Sequence, residues 1–119
     1  MRALPHPIPN ELAELIAERL RAIADPTRIR LLDRLSEAPA TVSELVAQLG
    51  GTQQNISKHL GVLHRAGILS RVKEGTCVRY AVADGTVLGL CERVCGGVRT
   101  QLAGLDALLG DAGTHGLGR

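Results

Sequence analysis

Two groups of side chains in this 119-residue chain carry chemistry by type and spacing. The first is the run Gln53-Gln54-Asn55-Ile56-Ser57-Lys58-His59. Gln and Asn amides pair with N6 and N7 of adenine, while short hydroxyls and cations serve base edges and phosphates. Positive charge continues downstream at Arg65, Arg71, Lys73 and Arg79. Residues 53–80 set five Lys and Arg against one acid, Glu74, for a local charge of +4, whereas the whole chain carries only +2. A modest overall charge thus hides a basic segment, the arrangement that a groove-binding module needs. The competing reading is a solvated helix face with incidental charge.

The second group is Cys91 and Cys95. At i and i+4 they share one helix face, where two thiolates suit one soft or borderline metal ion. His6, in the Pro-rich N-terminus, is a further nitrogen ligand for such a site. Three readings stand for the thiols: apolar filling, because a buried Cys behaves as a small hydrophobe; binding of a metal or metalloid; and thiol redox sensing. A disulfide between two thiols of one regular helix is sterically awkward, which weighs against the third. Cys77 lies in a hairpin as a surface or half-buried residue, and His64 and His115 stand isolated. Three cysteines without a disulfide-framework spacing point to a reduced, cytoplasmic setting. The chain has no Gly-rich phosphate loop, no GxSxG and no HExxH, and no paired acids, so a non-enzyme is expected.

Local signals say which elements must position these groups. Pro5, Pro7 and Pro9 favour extended backbone, so residues 1–9 read as a flexible arm. Asn10 is expected to cap a first helix with Leu12, Leu15, Ile16, Leu20 and Ile23 on one face. Asp25-Pro26 starts a second, with Ile29, Leu32 and Leu35 as its buried stripe and an end near Glu37-Ala38-Pro39. Thr41 and Glu44 make a capping-box pattern for a short third helix, which Gly50-Gly51 stops. Thr52 caps the fourth, whose Ile56, Leu60 and Leu63 face inward and leave the polar run outward; Gly67 ends it. Two β-branched runs, 68–73 and 77–82, joined through Gly75, read as a hairpin. In the last helix Leu88, Cys91, Cys95, Val98, Leu102, Leu105 and Leu109 follow a 3, 4, 3, 4, 3, 4 spacing, a heptad seam. Residues 110–119 read as a disordered tail.

The expected fold is mainly α with a small β-hairpin wing: a winged helix-turn-helix domain over residues 10–109. Hydrophobic residues make up 45% of the chain, yet it has no Trp, no Phe and one aromatic, Tyr80. An aliphatic core of this size is marginal alone, so shared burial in an oligomer is expected. No apolar run approaches the ~20 residues of a membrane span, and the N-terminus has no apolar stretch of signal-peptide type.

The stretches ADPTRIRLLDRL (24–35) and TVSELVAQLGGTQQNISKHLGVLHRAGILSRVKEGTCVRYAVAD (41–84) resemble the ArsR/SmtB family of bacterial regulators. The combination Q-x-N-I-S-K-H-L-x-x-L-x-x-A-G-I-L with E-G-x-x-V-R-Y is specific to it. The resemblance implies a homodimer that pairs through its first and last helices and binds double-stranded operator DNA near its own gene, with an effector that changes affinity. By position it places Gln53, Gln54, Ser57, Lys58 and His59 in or beside the major groove, with Asn55 at the helix start. It places Arg71, Lys73 and Arg79 on the wing; for His59, packing at the helix boundary is the competing reading.

The effector is where the chain departs from the family. The Cys-x-Cys of many metal-sensing relatives is replaced by Ser43-Glu44-Leu45-Val46, and of a second known ligand set only Asp84 is kept, with Thr86, Gly97 and Thr100 in the other places. Persulfide-responsive relatives need a thiol in the second helix, which is lacking. Some arsenic- and metal-responsive relatives place sensing cysteines in the last helix, so the resemblance points to Cys91 and Cys95 for a soft metal or metalloid. A mixed His and carboxylate site for nickel or zinc is the other form. The alternative to a metal is the same DNA-binding module answering to thiol chemistry or to a partner protein.

Overall fold

The computed structural model describes residues 4–109, so the expected tail at 110–119 lies outside the described residues. Five helices and a three-stranded antiparallel sheet follow in the order α1 (Asn10–Ile23), α2 (Pro26–Leu35), β1 (Ala40–Thr41), α3 (Val42–Leu49), α4 (Gln53–Arg65), β2 (Leu69–Glu74), β3 (Cys77–Val82) and α5 (Thr86–Leu109). Contacts divide the chain after Gly85 into a body that holds α1 to β3 and a second unit formed by α5. None of the described helices is long and apolar enough to cross a membrane.

Capping chemistry sets the helix starts. The Asp25 carboxylate accepts the backbone N–H groups of Thr27 at 2.8 Å and Arg28 at 3.2 Å, and Pro26 takes the first helical place, where its missing donor costs nothing. The capping box of α3 is complete: Thr41 Oγ1 accepts from Glu44 N at 3.2 Å, and Glu44 Oε1 accepts from Thr41 N at 2.9 Å. Thr52 Oγ1 accepts from Asn55 N at 3.1 Å to open α4. That helix ends in a Schellman motif: Gly67, at φ +80°, donates to His64 O, and Ile68 donates to Leu63 O, both at 3.0 Å. Ile68 and Leu63 are both fully buried, which suits the apolar pairing that such an ending favours.

The core of the body is built from Leu31, Leu32, Leu35, Leu45, Ile56, Leu60, Leu63, Ile68 and Leu69, with Ala40 and Tyr80. Tyr80 pairs with Ala40 on one side and Arg71 on the other, in a sheet of order β1-β3-β2. Glu74 opposes Cys77, so Gly75-Thr76 is a two-residue loop with positive φ at Gly75 alone, the pattern of a type II′ turn.

Three local expectations are corrected. Pro9, not Asn10, holds the N-cap place of α1 and no side chain caps that helix; Asn10 is its first residue and donates from Nδ2 to Glu14 at 3.4 Å. Ile29 is 44% exposed, and Leu31 takes its place in the core. The buried residues of α2 are Leu31, Leu32 and Leu35, with Arg28 half-buried one turn earlier, an i, i+3, i+4, i+7 stripe that leaves position 29 off the face. The second helix also stops at Leu35, before the expected end. Strand β1, of two residues, is too short to show an alternation in the sequence.

Candidate nucleic-acid interface

Helix α4 packs its apolar stripe inward and turns Gln53, Gln54, Asn55, Ser57 and Lys58 out to solvent. Gln53, Gln54, Ser57, Lys58, Gly61 and Arg65 line one open groove along that face. Positions 54, 58, 61 and 65 are 4, 3 and 4 apart, which makes a single helical row. Arg65, part of the basic segment but not among the expected contacts, joins the groove through that spacing, which is the sequence signal for it. A second cleft joins the start of α3 to α4 and the hairpin, lined by Thr41, Val42, Ser43, Gln53, Ser57, Thr76, Cys77, Val78 and Tyr80. Gln53 and Ser57 belong to both concavities, so the helix and the hairpin share one surface. Within it Gln53 Nε2 lies 3.1 Å from Ser43 Oγ.

Asn55 sits around the corner from the groove. It shares a smaller depression with Thr27, Arg30, Leu49, Gly50, Gly51 and Ile56. Gly50 and Gly51 both have positive φ, at 86° and 89°, a backbone shape that a side chain would strain.

Arg71 and Lys73 are exposed on β2 and form no ion pair among the described residues, as is true of Lys58 and Arg65. Arg79 differs. Its Nε donates to Glu74 Oε1 at 3.0 Å and its Nη1 to Glu44 Oε1 at 3.3 Å. The Glu74 hydrogen bond and charge, with a further contribution from Glu44, raise the Arg79 pKa still further. Glu44 is held below the ordinary carboxylate range, first by the Thr41 backbone N–H and then by Arg79.

His59 turns inward. Its side chain is 14% exposed, with Nδ1 3.0 Å from Arg28 Nη1 and 4.0 Å from Asp25 Oδ1. Asp25 is held low chiefly by the Arg28 backbone N–H, and also by that of Thr27.

The three potential metal ligands fall in different units, His6 in the body and Cys91 and Cys95 on α5. Cys91 is half-buried and Cys95 exposed, both free thiols, and His6 is exposed in the N-terminal segment. Burial pushes the Cys91 thiol up, so its thiolate is harder to form. Among the described residues no three His, Cys, Asp or Glu side chains form a cluster that could hold a metal ion.

Comparison with known proteins gives this geometry a family. Residues 23–72 match a family model described as a helix-turn-helix domain. The HTH-type transcriptional regulator CmtR of Mycobacterium tuberculosis is 44% identical over 75 residues, which cover 62% of this chain and 64% of the relative. The HTH-type transcriptional repressor SmtB of the same organism is 39% identical over 80 residues, which cover 67% of this chain and 59% of the relative. The match thus spans less than two thirds of either relative. The crystal structure of Rv0081 from M. tuberculosis aligns at a TM-score of 0.69 and 32% identity, covering 78% of this chain and 97% of that one. With the capped helix-turn-helix, the hairpin beside it and these relatives, the chain is a member of the ArsR/SmtB family of winged helix-turn-helix transcriptional regulators.

Proposed function

We propose that this chain is a DNA-binding transcriptional regulator, acting as a repressor, that grips operator duplex as a homodimer. The observation that carries this reading is the unbroken groove of amides, hydroxyl and cations from Gln53 to Arg65, with the hairpin cations Arg71 and Lys73 beyond it. Gln53, Gln54 and Ser57 read base edges in the major groove, and Lys58, Arg65, Arg71 and Lys73 neutralise phosphates. Asn55, at the start of α4 and beside Arg30, serves the backbone at the groove edge.

A second copy is supported by the apolar side chains that one chain leaves in water. On α1 these are Leu15, 63% exposed, and Leu20; on α5 they are Val94, Val98, Leu105 and Leu108, the last 85% exposed. Exposed apolar faces of this extent mark interaction surfaces, and a two-fold pair would present two reading heads to a palindromic operator.

The effector in this reading is a divalent transition metal or a soft metal or metalloid, held by Cys91 and Cys95 together with groups from the second chain. The i, i+4 placement of the two thiols on α5 supports it. Bound there, the ion would supply differential affinity for two arrangements of the dimer, which is all that an effector needs.

Anisotropy titrations of the upstream promoter duplex and of a scrambled duplex, across a salt series, test the DNA reading. Preference for the promoter with a steep inverse salt dependence is expected. Titration of the reduced protein with zinc, nickel and cadmium, against a Cys91→Ser/Cys95→Ser variant, tests the metal. Unchanged metal affinity in the variant would move the site to His and carboxylate ligands.

A further inference from the structure

His59 is the one polar residue of the 53–59 run that is not exposed to solvent. Its partner settles its chemistry. A guanidinium offers five donors and no acceptor, and it stays protonated. With Arg28 Nη1 at 3.0 Å, Nδ1 of His59 can only accept, so the ring proton of the neutral imidazole is on Nε2. The same guanidinium reaches the last turn of α1: its Nε donates to Ala22 O at 2.7 Å and its Nη2 to Arg21 O at 3.5 Å. The backbone N–H of Arg28 is fixed in turn by the Asp25 cap at 3.2 Å. One planar fork therefore links the carbonyl end of α1 to α4, which it meets through a hydrogen bond to one imidazole nitrogen.

From this we infer that His59 is a positioning residue for the reading helix, not a contact to the duplex, and that Arg28 is the link through which the end of α1 sets the placement of α4. The inference rests on the DNA-binding reading above for its functional consequence, though the link itself exists without DNA. Arg28 suits this place because its fork is rigid and makes three directed bonds, whereas a lysine ammonium is a flexible point charge. If α1 belongs to the face between two copies, a shift of its last turn is passed to α4 through this fork.

The test uses two isosteres of the imidazole in the full chain. Asn places its Oδ1 near the position of Nδ1, and Gln places its amide near Nε2. His59→Asn is expected to keep promoter affinity within about threefold, while His59→Gln and Arg28→Met lose about tenfold or more, the effect of losing one charge-assisted hydrogen bond. Without DNA, amide hydrogen exchange along α4 should quicken in His59→Gln and Arg28→Met and stay near wild type in His59→Asn. Retention by Gln with loss by Asn would overturn the inference, because Nε2 would then be touching DNA. Equal behaviour of Asn and Gln, with exchange unchanged, would also overturn it. Should Arg28→Met fail to fold, the Asn and Gln pair still decides. If the wild type shows no promoter preference, the regulatory reading falls, and the exchange measurement alone judges the link.

Discussion

Arg79 and Glu44, 35 residues apart in sequence, meet with Nη1 3.3 Å from Oε1. The strand pair that sets Thr41 opposite Arg79 brings them together. Arg79 holds Glu74 as well, so its guanidinium ties the hairpin to the start of α3 and is already neutralised. A cation so engaged should contribute little to phosphate binding. Replacing Arg79 and Glu74 together by Gln, which keeps net charge, should therefore weaken promoter binding while leaving the slope of log K against log salt unchanged. A slope reduced by about one would instead make Arg79 a phosphate contact.

Base readers and phosphate cations should separate in the same assay. Gln54→Ala is expected to relax the preference at one base pair, costing ~1–3 kcal/mol against the best sequence, with no change in salt slope. Lys58→Ala should weaken promoter and scrambled duplex alike and lower the slope by about 0.9. A Lys58 variant that altered sequence preference instead would reverse these roles.

Acid should destabilise the fold through its caps. Asp25 and Glu44 both titrate below the ordinary carboxylate range when folded, so the stability they contribute is present above their unfolded-state values. It is lost as pH falls through the folded values. Urea unfolding across a pH series should show Asp25→Asn and Glu44→Gln below wild type at neutral pH, with the curves converging in strongly acid solution. Parallel curves at every pH would show that charge is not what the caps supply.

The core makes a further demand. Leu60 is fully buried behind the groove-lining face of α4. Leu60→Ala should cost ~2–5 kcal/mol in urea unfolding, since an aliphatic core with one aromatic has little bulk to collapse into the cavity. A loss of roughly 1 kcal/mol or less would mean that the site relaxes, against the close packing of the interior.

Association should depend on the exposed apolar residues of α5. Val98→Glu and Leu105→Glu, at positions 47% and 40% exposed in one chain, are expected to leave helix content intact and shift the protein to monomer in light scattering. Promoter affinity should fall with dimerisation, because a single reading head loses the second half-site. A stable dimer in the double variant would place the interface elsewhere.

Much of this protein was legible in its residues because the deciding interactions are local. Asp25-Pro26, the Thr41–Glu44 box, Thr52 and the glycines at 50, 51, 67 and 75 act within one turn of chain, so they set helix starts and stops wherever the chain packs. The same holds for the groove row of α4, whose spacing needs only a helix. What tertiary structure decided are the partnerships between positions far apart in sequence. Strand β1 exists only because β3 offers it a ladder, and Ile29 lost its core place to Leu31 because the neighbours of α2 chose its face. Arg79 and His59 have the residue types of DNA contacts, yet one is held by two carboxylates and the other by Arg28. Residue type and spacing say what a side chain can bond; only packing says which partner reaches it first.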